Sequence, residues 1–327
     1  MSSLYVTGGK LRRGLFRKTP EWHSCKCAVA VRVVAETGVV EACAEYETPL
    51  ALRAEENAAI LFKSSSVANG KLYTCTSTEV LVLDAATLRQ EGHISLPCFN
   101  DLHHVCPTPW GSLLVAVTGL DMVVELDADG AVLREWDVLG HAPWQRFSRD
   151  IDYRNLLTTK PHQSHPNHVF LLDEEVWVTR FEQRDAMSLT QPGRRIDIRV
   201  ERPHDGYVSG EWIYFTTVNG NIVVVARETL RVVDVIDLNQ MAHEHGRSLG
   251  WCRGLAPMPD GTMWVAFSHI RPTRFRENLL WMKHGFEEVS QPTHIALYDL
   301  NRRACLREID MELIGVDVIF SVLPVCR

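Results

Sequence analysis

Apolar residues recur along the chain in short runs separated by polar turns, a pattern that predicts β-strands joined as hairpins. The clearest example is residues 160–185, KPHQSHPNHVFLLDEEVWVTRFEQRD, where an acidic turn separates two apolar runs. His168 stands at the start of the first run, and Arg180 and Asp185 stand at and beyond the end of the second. Because a hairpin returns the chain to its starting edge, these three residues are predicted to lie at one edge of a sheet.

The same order of polar start, strand, turn, strand and polar exit repeats along the chain. The units that carry it occupy residues 60–96, 103–138, 168–200, 204–238 and 251–311, the last with an insertion. Each compact unit holds four strand-like runs in roughly 35 to 40 residues, which is the size of one β-propeller blade.

Both ends of the chain carry strand patterns that are predicted to complete the ring. The runs 27–34 and 39–46 and the C-terminal run 316–325 form one more blade if the last strand pairs with the first ones, which leaves no exposed sheet edge. The predicted fold is therefore all-β: a six-bladed propeller closed by N- and C-terminal strands, in one domain spanning residues 1–327. Seven blades are the alternative, because the segment before Cys25 is not placed.

Helical patterns are confined to three connecting segments, 143–154, 240–245 and 275–284. Two long connections, about 140–162 and 270–292, are predicted to be lid-like insertions, since long loops in a compact domain usually cover or bind something.

Alignment of the units on the turn before their second strand places polar residues at matching positions. The second, third and fourth units place a histidine there: His104, His168 and His204. The first unit places Lys63 or Ser64 at this position, and the fifth places Arg253 or Gly254. Because the inner strands of a propeller surround one central channel, the histidines are predicted to meet at its mouth.

Loops after the second strands lead to the same mouth, and they are polar as well. They contribute Glu79, Asp121, Arg180, Asp185, His269 and Arg271, and the first insertion adds Tyr153 and Lys160. Arginines and aromatic residues in binding loops favour an anionic or polyhydroxylated small molecule. The predicted substrate-binding residues are Arg180, Asp185, Arg253, Arg271, Tyr153 and Lys160, and those predicted to act in catalysis are His168, Arg180 and Arg253.

Neutral imidazoles are common ligands of Fe, Mn, Cu and Zn, and three of them leave coordination positions open for a substrate. A divalent ion bound by His104, His168 and His204 is therefore predicted, with Fe(II) or Mn(II) preferred and Ca or Zn as other options. His162 and His165 precede His168 closely and are predicted to support the ligands from outside.

Composition limits the classes of function. The net charge of −7 argues against a nucleic-acid surface and against charge-driven membrane binding. There is no run of 18 apolar residues and no apolar stretch of a signal peptide near the N-terminus. The nine cysteines are scattered, which predicts free thiols in a reducing cytoplasm. A small-molecule substrate is expected, with neither a nucleic acid nor a membrane as partner.

The phrases DADGAVLREWDV and PDGTMWVAF resemble blade sequences of the six-bladed propeller superfamily that includes gluconolactonases, strictosidine synthase-like proteins, virginiamycin B lyases and arylsulfotransferases. The cation-binding Glu, Asn and Asp set of gluconolactonase-like proteins has no counterpart at matching positions. The histidines instead resemble the metal sites of oligogalacturonate lyases and of carotenoid oxygenases, which hold iron with four histidines. That resemblance implies a fourth ligand, His269 or Glu79.

Three kinds of function are compatible with these patterns. The preferred one is a metal-dependent enzyme, an oxidoreductase or lyase, that acts on a small polar or anionic substrate in the central channel. The first alternative is a metal-free lyase, hydrolase or transferase that uses histidine and arginine. The second is a propeller without enzymatic activity that binds a ligand or a protein.

Overall fold

The computed structural model describes residues 2–12, 25–241, 248–270 and 291–325. Within these ranges the chain forms six antiparallel sheets of four strands each. Blade 1 joins the two ends of the chain, and blades 2 to 6 follow in chain order. We number the strands β1 to β24 along the sequence.

The strands of each blade are as follows. Blade 1 contains β1 (Ser3–Leu11), β2 (Cys25–Val34), β3 (Val40–Tyr46) and β24 (Val318–Pro324). Blade 2 contains β4 (Ser66–Ala68), β5 (Lys71–Cys75), β6 (Val80–Asp84) and β7 (Gln90–Ile94). Blade 3 contains β8 (Leu102–Pro107), β9 (Leu113–Val117), β10 (Met122–Leu126) and β11 (Val132–Asp137). Blade 4 contains β12 (Pro166–Leu172), β13 (Glu175–Arg180), β14 (Asp185–Ser188) and β15 (Arg195–Asp197). Blade 5 contains β16 (Pro203–Ser209), β17 (Trp212–Thr217), β18 (Asn221–Ala226) and β19 (Arg231–Asp237). Blade 6 contains β20 (Trp251–Pro257), β21 (Thr262–Ser268), β22 (His294–Asp299) and β23 (Ala304–Asp310).

Blade 1 closes the ring in the order β24–β1–β2–β3, so the C-terminal strand is paired with the N-terminal one. Val6 of β1 lies opposite Val31 of β2 on one side and Val322 of β24 on the other. Of the segment before Cys25, residues 3–11 form the second strand of this blade, and residues 13–24 lie outside the described residues. The glycines of this strand serve close packing: a Cβ on Gly8 would lie 1.8 Å from the Val318 carbonyl oxygen.

An apolar core lies between each pair of neighbouring blades, and six such cores complete the circle. The core between blades 6 and 1, for example, packs Val6 and Val31 against Trp264 and Ile295. The other five join blades 1 and 2, 2 and 3, 3 and 4, 4 and 5, and 5 and 6. The structure is therefore a six-bladed β-propeller, as the repeats predicted, with six blades rather than seven.

Burial along each blade explains its sequence pattern. The middle strand β9, LLVAV, is buried at every position because both faces of the blade are covered by neighbours. The outer strand β11, VLREWD, is largely exposed. Each outer strand therefore carries charged residues among its apolar ones, whereas a middle strand such as β9 reads as continuous apolar sequence.

One of the three predicted helices, at residues 143–154, is replaced by a loop. In 143–154 the chain forms turns and a single 3-10 turn that begins at Tyr153. The segment 240–245 overlaps a 3-10 helix, Leu238–Met241, and otherwise lies outside the described residues, as does 275–284. Short apolar runs do not distinguish a helix from an ordered loop when neighbouring blades determine the packing. Over the described ranges, no helix has the length and apolar character needed to cross a membrane.

Candidate functional site

A β-bulge interrupts the inner strand of at least five blades at the same level of the channel. In blade 5, for instance, Pro203 pairs with Thr217 and Gly206 with Phe215, so two residues lie opposite Thr216. Such a bulge turns neighbouring side chains in different directions. The first bulge residues are His103, Asn167, His204, Arg253 and Phe320, and the second are His104, His168, Asp205, Gly254 and Ser321.

The strand pairings change the predicted alignment of the histidines by one position. His104 and His168 occupy equivalent second positions, but His204 occupies the first position, and Asp205 is the equivalent of the other two histidines. The residues therefore form two layers. Of the first bulge residues, His103, His204, Arg253 and Phe320 line a cavity of about 600 Å³.

The residues of the second layer contact one another and the neighbouring strands. The rings of His104 and His168 stack with centroids 3.7 Å apart. The backbone N–H of Val169 donates to His104 Nδ1 at 3.2 Å, and His104 Nε2 lies 3.0 Å from the Ser66 hydroxyl. The first bond assigns the ring proton to Nε2, so both ring nitrogens of His104 are engaged within the protein.

Asp205 is the anion of this second layer. Its carboxylate accepts hydrogen bonds from the backbone N–H of Gly254 at 2.5 Å and from Thr216 Oγ1 at 3.0 Å. It also lies 3.1 Å from His204 Nδ1 and 3.5 Å from His168 Nδ1. Burial alone would raise the pKa of Asp205, but the histidines outweigh it and hold this pKa well below the ordinary value. Burial likewise lowers the pKa of His204 and, more strongly, of His104.

A group of possible metal ligands lies at the cavity wall, and it is not the set aligned from the sequence. Among the described residues, ligand atoms of Asp101, His162 and His165 all lie within 4.8 Å of one another. The Nδ1 atoms of the two histidines are 2.7 Å apart. Burial lowers the pKa of both rings, that of His165 well below the usual value, so both carry lone pairs at neutral pH. All three residues line the cavity.

Asp121 holds the backbone that presents this group. Its carboxylate accepts from the backbone N–H groups of Gln163, Ser164 and His165 at 2.8, 3.0 and 2.7 Å, and from Arg146 Nη2 at 2.7 Å. His165 has a left-handed backbone with a φ of 57°. Three charge-assisted bonds fix this unusual turn, so the two imidazoles are positioned before any ligand binds.

Lys63 and His103 complete the polar wall. The Lys63 ammonium is bonded to Asp101 Oδ1 and lies 3.4 Å from His103 Nδ1, which in turn lies 2.8 Å from the Asp101 carbonyl oxygen. Burial alone would raise the pKa of Asp101, but Lys63 and the histidines hold it well below the ordinary value. Burial, together with the charge of Lys63, places the pKa of His103 well below that of a free histidine.

The predicted substrate residues are distributed unevenly. Arg253 and Lys160 line the cavity. Arg180 and Asp185 bind each other through two hydrogen bonds of 2.8 and 2.6 Å, and Arg180 Nη1 donates to the Val138 carbonyl at 3.0 Å. They do not belong to the described cavity lining.

Other predicted residues serve as local anchors. The Tyr153 hydroxyl accepts a hydrogen bond of 2.9 Å from the backbone N–H of Ser148 within the first insertion. His269 Nδ1 lies 3.0 Å from Glu312 Oε1. Glu79, the other option for a fourth ligand, is bound by Tyr46 at 2.6 Å and His93 at 2.7 Å. Arg271 and most of the insertion 270–292 lie outside the described residues.

The site also contains residues that the sequence patterns do not single out as ligands or substrate contacts, among them Lys63, Asp121 and Asp101. Lys63 was noted only as a positional equivalent, Asp121 only as a polar loop residue, and Asp101 not at all. Asp101 has a positive φ of 50° in the turn before β8, a conformation that Asp tolerates and that marks a specialised turn. An aspartate directly before a histidine-rich strand start was the available signal.

Comparison with known proteins supports the fold. No protein-family model matches the sequence, and none of the curated proteins matches it. A solved structure of a protein of unknown function from Bacteroides caccae aligns with 100% of this chain and 99% of its own, at 12% identity and a TM-score of 0.61. A streptogramin B lyase structure shares 14% identity over 76% of this chain and 68% of its own, with a TM-score of 0.47. A catalytically inactive virginiamycin B lyase from Staphylococcus aureus with quinupristin shares 11% over 76% and 69%, with a TM-score of 0.47.

At these identities the likeness concerns the fold alone. Fold and site together define a class: a six-bladed β-propeller with a possible His/Asp metal group beside a cavity at the mouth of its channel.

Proposed function

We propose that this protein is a metal-dependent enzyme that acts on a small anionic substrate in the channel-mouth cavity, with the ion bound by Asp101, His162 and His165. The observation that carries the proposal is the convergence of these three donors within 4.8 Å at the wall of that cavity. Two imidazole nitrogens and one carboxylate oxygen suit Fe(II), Mn(II) or Zn(II) better than Ca(II), which prefers oxygen ligands.

The charge of the cavity supports an anionic substrate. Among the described lining residues, five are lysine or arginine and two are aspartate or glutamate. The basic ones are Arg53, Lys63, Arg154, Lys160 and Arg253. Asp152 and Glu47 balance Arg154 and Arg53, at 2.6 and 3.1 Å. With those two pairs set aside, three cationic and two anionic side chains remain in the described lining, a net positive charge that supports a negatively charged small molecule.

A bound ion of this type would supply a Lewis acid and, where iron binds, redox chemistry. The chain itself supplies proton acceptors. His103 donates its Nδ1 proton to the Asp101 carbonyl at 2.8 Å, so its Nε2 carries the lone pair, and His103 lines the cavity in which that lone pair can accept a proton from a substrate. His204, oriented by Asp205, lines the same cavity. Proton abstraction next to a bound anion favours a lyase or an oxidoreductase.

Metal content tests the proposal. Protein purified without a metal-affinity step should contain close to one equivalent of metal, and Asp101→Asn and His165→Ala should contain less than about 0.2. His168→Ala is the matched control, because it removes a histidine of the second layer and leaves the Asp101 group intact. The proposal fails if the wild type stays below about 0.2 equivalents after incubation with Fe(II), Mn(II) or Zn(II). If His168→Ala loses the metal and His165→Ala keeps it, the histidines aligned from the sequence form the site instead.

A metal-free enzyme is the second candidate, and one observation favours it. The Lys63 ammonium is bonded to Asp101 Oδ1 and therefore already neutralises the carboxylate that a cation would use. In that case Lys63 and His103 would act as an acid–base pair. Metal-free wild-type protein with full activity would support this candidate.

We also propose a reducing, cytoplasmic location. It is supported by the eight cysteines within the described ranges, all of which are free thiols.

A further inference from the structure

The channel-mouth cavity has an apolar floor that is distinct from the cores between blades. Leu61, Val318 and Phe320 form this floor together with Leu11 and Cys25, and they are 4, 7 and 5% exposed. Of these five residues, Cys25, Leu61, Val318 and Phe320 line the cavity. The cavity therefore offers a hydrophobic surface beside its charged groups, which a purely polar substrate would leave uncovered.

The rim of the cavity is apolar as well. Leu156 and Leu157 line it, and each is 43% exposed. Their backbone is held in place, because the Asn100 amide donates to the carbonyl oxygens of Tyr153 and Leu156, both at 2.8 Å. Two neighbouring leucines fixed in an exposed position at a cavity are typical of a surface that a ligand covers.

Cationic groups adjoin the apolar floor directly. The Arg253 guanidinium lies 4.2 Å from the centroid of the Phe320 ring, and Lys63 Nζ lies 5.9 Å from it. The His103 ring, which contacts His165 of the metal group at 4.8 Å, lies 6.1 Å from the same ring. One aromatic side chain thus connects the arginine, the lysine and the proposed reactive centre.

We propose that the ligand of this cavity is an amphipathic carboxylate, with its apolar body on the Leu61–Val318–Phe320 floor and the Leu156–Leu157 rim and its carboxylate at Arg253. The guanidinium fork matches a carboxylate, and its weak hydration suits a position over an aromatic ring. The inference deepens the proposed function and rests on it for the identity of the cavity as the substrate site. It narrows the small anionic substrate of the proposed function to an amphipathic carboxylate.

Calorimetric titration of the full-length protein with butanoate, hexanoate and octanoate tests the apolar part. Affinity should rise roughly threefold to fourfold for each added methylene, because each one buries apolar area on the floor or rim. Leu157→Ser should flatten this dependence. Leu133→Ser is the matched control, since Leu133 is 54% exposed on the outer strand β11 and should leave the series unchanged.

Two further probes separate the role of the carboxylate from that of the apolar body. Hexanamide should bind on the order of tenfold more weakly than hexanoate, and Arg253→Met should remove that difference. Gluconate, which has the carboxylate but a hydroxylated body, should bind more weakly than octanoate. An affinity independent of chain length, or gluconate binding more tightly than octanoate, would overturn the inference.

Repeating the titrations with Asp101→Asn separates this inference from the proposed function. Chain-length dependence in a wild type that takes up no metal would support the amphipathic ligand and refute the metal-dependent enzyme. Metal bound by the wild type and lost in Asp101→Asn, without chain-length dependence in either protein, would refute the amphipathic ligand and support the enzyme.

Discussion

The buried pair of Arg180 and Asp185 provides a direct test of structural against functional roles. The two side chains are 12% and 2% exposed, and they form a two-pronged ion pair. Arg180 also donates to the Val138 carbonyl, which ties blade 4 to the end of blade 3. Asp185→Ala leaves the guanidinium buried without its carboxylate. We expect this change to lower the free energy of unfolding by about 3–5 kcal/mol.

The size of the expected thermal shift follows from the length of the chain. An unfolding entropy of about 2.1 cal/mol/K per residue gives roughly 0.7 kcal/mol/K for this protein, so the melting temperature should fall by about 4–7 °C. Asp234→Ala is the matched control. It breaks a bridge of similar length, 2.7 Å to Arg303, but the side chains are 43% and 48% exposed. That change should cost less than about 1 kcal/mol.

Thermal and urea unfolding measure both variants, and octanoate titration measures ligand binding. Arg180 and Asp185 do not belong to the described cavity lining. The Asp185→Ala variant should therefore bind octanoate like the wild type at a temperature where it is folded. Stability within about 1 kcal/mol of the wild type together with lost binding would refute this reasoning. It would instead support the substrate-binding role predicted from the sequence.

Two further predictions concern the channel interior. Burial lowers the pKa of His104 and His204, so below about pH 6.5 the unfolded chain binds more protons than the folded one. The contribution of these neutral histidines to the free energy of unfolding is therefore complete above that pH. On acidification it should fall by up to about 1.4 kcal/mol per pH unit for each histidine. The midpoints of urea unfolding at pH 7, 6 and 5 measure this loss, and a midpoint that stays unchanged or rises would contradict it. Asp205, whose pKa is depressed, adds its own loss of stability only near pH 4 and below. Gly254→Ala should destabilise by about 2–4 kcal/mol, because the residue has a φ of 72° and its Cβ would lie 2.9 Å from the Val322 nitrogen. Gly111→Ala, with a φ of 88° and open space around it, should cost only about 1 kcal/mol, and equal losses in the two variants would show that the close approach to β24 is not the cause.

The sequence by itself determined the blades. A repeat of roughly 35 to 40 residues with four apolar runs cannot bury both faces of its sheet by itself. When such repeats stack around a channel, each sheet is covered by its two neighbours. The closing pairing of both chain ends followed from the need to remove sheet edges. The strand Ser3–Leu11 was not recognised, because its two glycines resemble a turn until the backbone of β24 lies beside them.

The arrangement of the candidate site was decided by tertiary structure. Sequence reasoning located the channel mouth and selected His204, Arg253 and Lys160, which line the cavity there. It could not detect the bulges, since one extra residue per inner strand leaves the apolar pattern almost unchanged but turns each side chain by half a strand period. The predicted alignment of the turns was also one residue out of register, because Ser209 is equivalent to Leu172 at the end of the inner strand, and it therefore placed His204 with His104 and His168.

The possible metal group could not be predicted from local sequence patterns either. Asp101 comes from the turn between blades 2 and 3, and His162 and His165 come from the insertion before blade 4. Only the ring of blades, and the bonds of Asp121 to the turn around His165, bring these distant segments together. Local sequence fixes strands through short-range periodicity, whereas a site of this kind is fixed by contacts between segments about 60 residues apart, which no local pattern records.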